Sequence, residues 1–65
     1  MTTENISDDV LLTPKAVAVR FGIHELTLNN WRAQNRGPRF VRIGRLIRYP
    51  QSAIREYLAS STVQP

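Results

Sequence analysis

The chain has 65 residues, room for one small domain, and a domain of that size buries only about 60% of the surface its unfolded form exposes. It has no cysteine and a single histidine, His24, which excludes disulfides, thiolate chemistry, Cys-based zinc sites and histidine clusters. Nine basic residues face five acidic ones, and because Glu4, Asp8 and Asp9 all fall in the first ten positions, the stretch from Leu11 onward carries nine cations against two anions.

Eight of the nine cations are arginine. Arginine offers a planar fork that suits phosphates and guanine edges, where lysine is a point charge. This balance points to nucleic acid. The competing explanation is a cationic surface kept for solubility, which does not by itself favour arginine over lysine. No apolar run approaches the ~20 residues of a membrane helix, and the N-terminus lacks a signal-peptide layout. A soluble, cytoplasmic protein without a cofactor is expected, one that uses no metal or borrows one from a partner.

Residues 1–10 are polar, acidic and aperiodic, and predict a loosely held arm. Thr13 and Pro14 then announce a first helix, with threonine as cap and proline at the first helical position. Pro14, Val17, Ala18 and Phe21 give it one apolar face, and Gly22 ends it. A second helix is expected from His24 or Glu25 to about Asn35, with Leu28 and Trp31 turned inward. Leu26, Asn29, Asn30 and Ala33 lie on the opposite side. Gly37-Pro38 is the expected stop. Residues 39–43 and 46–49 alternate in polarity around Gly44-Arg45 and predict a β-hairpin closed by Pro50. Gln51 to about Ala59 forms a last helix with Ile54, Tyr57 and Leu58 as its apolar stripe. Residues 60–65 are small and polar and read as a frayed tail. The expected fold is α+β, a small winged helix-turn-helix over residues 11–59: helix, turn, helix, two-stranded wing, C-terminal helix.

That fold locates the candidate contacts. Asn29 and Asn30 stand on the outward face of the second helix, where asparagine pairs with adenine in the major groove; the plain alternative is a solvated face. Leu26 meets a thymine methyl, a neighbouring molecule or simply water, and Ala33 shares that face. Glu25 either accepts from a cytosine amino group or favours the helix dipole, the preferred reading. Arg42, Arg45 and Arg48 are expected to project together from the hairpin, away from its apolar face, with Arg45 at a tip that fits a minor groove. Arg32, Arg36 and Arg39 flank the helix and hairpin base and are assigned to phosphates. Lys15, Arg20 and His24 are weaker candidates. Trp31, Tyr49 and Tyr57 are expected in the core, the tyrosine hydroxyls reaching water.

The run Leu11-Leu12-Thr13, Val17-Ala18, Phe21-Gly22-Ile23, Thr27-Leu28, Trp31, Val41-Arg42-Ile43-Gly44-Arg45, Arg48-Tyr49-Pro50 and Ile54-Arg55-Glu56-Tyr57-Leu58 resembles the excisionases, small phage and prophage DNA-binding proteins with a MerR-like winged helix. The resemblance spans nearly all of Leu11–Leu58. It implies binding to repeated double-stranded DNA sites beside an attachment site, DNA bending, cooperative self-association, and help to an integrase in excisive recombination within a bacterial host, at the nucleoid. It implies no covalent chemistry, and no catalytic constellation is present in the sequence. Two positions depart from the family pattern. His24 stands where many relatives have a serine or threonine cap, and the outward helix face lacks the arginines some relatives place there. A small prophage transcriptional regulator on the same domain is the alternative. Ending just after the last helix, the chain is expected to lack the dimerisation and effector parts of a sensing activator. A protein-only interaction module would show no salt-sensitive DNA affinity.

Overall fold

The computed structural model describes residues 9–62. Its elements are β1 (Leu11–Leu12), α1 (Pro14–Phe21), α2 (Glu25–Ala33), β2 (Val41–Ile43), β3 (Leu46–Pro50) and α3 (Gln51–Ser60). Three helices and a three-stranded antiparallel sheet make a winged helix-turn-helix, as expected. The strand β1 was not foreseen. It pairs with β3 to give the order β1-β3-β2, with Leu11 opposite Pro50 and Leu12 opposite Tyr49. Two residues carry no readable alternation, so only the tertiary pairing reveals them.

The helix-turn-helix is set by local chemistry. The Thr13 hydroxyl accepts from the Ala16 amide at 3.1 Å, and Pro14 opens α1. Gly22 adopts φ +72 and lets the Ile23 amide reach back to the Ala18 carbonyl at 3.0 Å. That is the Schellman closure, which needs a left-handed residue. α2 closes in the same way, but on Asn35, at φ 58: Asn35 N–H donates to the Arg32 carbonyl at 3.2 Å and Arg36 N–H to that of Trp31 at 2.7 Å. The helix therefore ends at Ala33, ahead of the expected Gly37-Pro38 stop. Gly37 has another task. At φ +84 it carries the chain across the Trp31 ring, and a Cβ there would lie 2.6 Å from Trp31 Cε3.

Val17, Ala18, Leu28, Tyr49 and Ile54 form the buried core, with Leu12, Phe21, Ile23, Trp31, Phe40 and Ile47 packed against it. Tyr57 on α3 stacks on Phe21 and tilts against Trp31, with ring centroids 6.0 Å apart in both pairs. The sheet, α1 and α3 thereby hold α2 by its inner face.

Of the arm expected over residues 1–10, residues 1–8 lie outside the described residues, as do residues 63–65 of the tail. Asp9 and Val10 are fastened rather than loose. α3 begins after Pro50, which makes no side-chain cap, and Asp9 supplies one from 43 residues away. Its carboxylate accepts from the Ser52 amide at 3.2 Å and the Ser52 hydroxyl at 2.6 Å. The Gln51 amide donates to the Val10 carbonyl at 2.8 Å. The Ser52 hydroxyl bond is the largest influence on the Asp9 pKa and lowers it below its ordinary 3.8; desolvation, the next largest, opposes it, and the Ser52 amide, the Arg55 charge and the Gln51 amide lower it further. At the other end, Ser60 is still helical and the Thr62 hydroxyl bonds the Leu58 carbonyl at 2.8 Å.

Candidate nucleic-acid interface

Burial of Leu28, with Thr27 and Trp31 half-buried beside it, turns the other side of α2 to solvent. Glu25, Leu26, Asn29, Asn30 and Ala33 are all exposed there, Leu26 at 65%. A leucine so exposed lies outside the core. His24 is the helix cap but makes no side-chain cap bond, and Glu25 sits in the first turn at the positive end of the dipole.

Arg32, assigned to phosphates from sequence, is half-buried and bonded within the protein. One guanidinium nitrogen donates to the Tyr49 hydroxyl at 2.8 Å and the other to Asn29 Oδ1 at 2.9 Å. Its guanidinium carbon also lies 5.9 Å from the Phe40 ring centroid and 6.0 Å from that of Tyr49, within cation–π range. Tyr49 was expected to send its hydroxyl to water; at 1% exposure it turns it to Arg32 instead. The signal for the Asn29–Arg32 pair was present, since residues three apart share a helix face. Nothing local announces Tyr49, which comes from β3.

Gly44 has φ 62 while Arg45 is not among the residues with positive φ, as a two-residue turn with glycine first requires. Arg45 is exposed at the tip. The register corrects the expectation that the hairpin arginines share a face. Val41 pairs with Arg48, Arg42 with Ile47 and Ile43 with Leu46, and residues directly opposite project to the same side. Arg42 therefore lies on the side of Ile47 and Tyr49, while Arg48 lies on the outer side with Val41, Ile43 and Leu46. Those three apolar residues are 37%, 50% and 52% exposed and stay out of the core. Arg42 is exposed, at the end of the hairpin beyond the core; Arg48 is half-buried and donates to the Ile47 carbonyl at 2.7 Å.

Arg36 is exposed and touches Gln34 Oε1 at 3.3 Å. Arg39 forms an ion pair with Glu56 of α3 at 3.0 Å, both side chains more than 60% exposed. Such a surface pair contributes little and yields readily to a phosphate. Lys15 and Arg20 are exposed on α1. Among the described residues no three His, Asp or Glu side chains are grouped to hold a metal, and no helix is long and apolar enough to cross a membrane.

A helix held by its inner face beside a cationic hairpin is the architecture of a DNA-binding winged helix-turn-helix. A family model described as a helix-turn-helix domain matches residues 11–62, and the chain belongs to that family, which includes excisionase-like DNA-binding proteins. Membership carries binding to double-stranded DNA. Neither a curated protein nor a solved structure matches the chain.

Proposed function

We propose that the protein is an excisionase-type architectural factor, which bends attachment-site DNA and directs an integrase toward excision. The observation that carries this reading is the exposed, nearly uncharged face of α2 beside an arginine-tipped hairpin, on a chain whose Val41-Arg42-Ile43-Gly44-Arg45 and Arg48-Tyr49-Pro50 resemble the excisionase wing. α2 enters the major groove with Asn29 and Asn30 toward base edges and Leu26 and Ala33 toward methyl groups. Arg45 enters the adjoining minor groove, and Arg36, Arg39, Arg42 and Arg48 neutralise phosphates on either side. The chain itself does no covalent chemistry; strand exchange belongs to the integrase. Neighbouring copies bind side by side on repeated sites, at the bacterial nucleoid.

About five neutralised phosphates give a slope of log K against log salt near −4 to −5. The reading is tested by footprinting and circular-permutation bending assays on attachment-region and promoter duplexes, with and without integrase. Bending of attachment DNA and stimulated excision are expected. Binding confined to promoter DNA, with no effect on recombination, is the result that overturns it in favour of a transcriptional regulator.

A further inference from the structure

We propose that Arg32 is a positioning residue: with Tyr49 it clasps Asn29 so that the Asn29 amide offers its N–H edge to the DNA and reads a purine. The inference deepens the DNA-binding reading of α2 and rests on it. Arg32 spans from the recognition helix to the wing strand, one guanidinium nitrogen on the Tyr49 hydroxyl at 2.8 Å and the other on Asn29 Oδ1 at 2.9 Å. The Tyr49 ring is fixed in the core and packs against Phe40 at 6.0 Å, so one anchor of the clasp cannot move with solvent. The rigid fork of the guanidinium passes that fixation to Asn29.

An asparagine alone on a helix surface turns its amide freely and presents either edge. Here the oxygen edge is held toward Arg32, and the nitrogen edge is left for the groove. A preset donor suits the acceptors of the major groove, above all purine N7. It is repelled by cytosine, which presents its own amino donor. Asn29 Oδ1 keeps a second lone pair, so adenine, with its amino group beside N7, also satisfies the oxygen. Sequence reading by α2 thereby depends on a hydroxyl in β3 that touches no DNA.

The test uses the full chain and a duplex selected from a random pool, beside versions with each base pair replaced, across a salt series. Asn29→Ala is expected to erase discrimination at one purine position by about five- to a hundred-fold. Tyr49→Phe keeps the ring and removes only the hydroxyl. It is expected to lose about two- to ten-fold of that same discrimination with the salt slope unchanged, and nothing further when Asn29 is already alanine. Arg32→Ala repeats the Tyr49→Phe result, and carries the test alone if Tyr49→Phe does not fold by circular dichroism.

Three results overturn the proposal. In one, Arg32→Ala weakens all duplexes alike and flattens the salt slope by about one, the mark of a phosphate contact. In another, the Tyr49→Phe loss persists undiminished beside Asn29→Ala. In the last, Asn29→Ala leaves discrimination intact. No integrase is present, so failure of the excisionase role leaves the outcome readable.

Discussion

The outward face of α2 and the surface of the hairpin lie on adjoining elements, yet they carry opposite chemistry. The helix presents amides, a leucine and an alanine, with Glu25 at its start; its one arginine, Arg32, keeps its charge but is drawn into bonds with Tyr49 and Asn29. The hairpin presents Arg42, Arg45 and Arg48, on both faces and at the tip. Neutral donors and acceptors discriminate between bases but attract weakly from a distance; guanidinium groups set against phosphates attract any duplex and discriminate little. On the proposed reading, affinity and specificity fall to different elements, and mutations should separate them.

The largest effect is expected at the joint between the two surfaces. Gly37→Ala forces a Cβ to 2.6 Å from the Trp31 ring at φ +84, and is expected to destabilise the fold by about 3 kcal/mol. Gly44→Ala, with nothing within 4 Å, pays only for its positive φ, about 1 kcal/mol. Urea midpoints of the two variants check the difference. Next in size is the crossed pair. Asn30→Ala is expected to lose about 1–3 kcal/mol of discrimination at an unchanged salt slope. Arg45→Ala should weaken every duplex and flatten the slope by about one, along with any preference for A/T-rich flanks. Equal salt slopes for these two variants would erase the contrast between helix and hairpin.

Within the hairpin the faces differ too. Arg42→Ala is expected to flatten the slope more than Arg48→Ala, since Arg48 is half-buried and spends one donor on the Ile47 carbonyl. Parallel titrations of the two variants decide this. The smallest effect lies away from both surfaces. The unfolded chain protonates Asp9 near 3.8 and the folded chain only at lower pH, so the Asp9 cap contributes fully above the unfolded value. The contribution is lost as pH falls through the lowered folded value. Asp9→Asn should therefore melt a few degrees lower at neutral pH, and the gap from the unmutated protein should shrink in acid. A gap that stays constant down to pH 2 would count against the cap.

Comparison of the two ends of the helix-turn-helix shows what was legible. Gly22 announces its left-handed conformation by its type, and the end of α1 is legible in the sequence. Asn35 adopts the same conformation, which asparagine takes more readily than other residues with a side chain but less readily than glycine; Gly37-Pro38 just beyond is the stronger stop signal, so the sequence carries α2 to about Asn35 where the structure ends it at Ala33. The hairpin was legible as two alternating runs about Gly44, but alternation says only that neighbours oppose. Which runs of the two strands share a side depends on the register, and that placed Val41 and Ile43 outside and split Arg42 from Arg48.

The order of the three helices and the hairpin, the exposed asparagines and the arginine-rich wing follow from the chain alone, because capping, helical spacing and turn chemistry act over a few residues. Three things required the assembled fold: the pairing of Leu11–Leu12 with β3, the cap that Asp9 lends to Ser52, and the bonds that hold Arg32 to Tyr49. Each joins groups at least 17 residues apart. A spacing rule within one element cannot reach across that distance; packing of the core brings the partners together and decides which cations stay free for DNA.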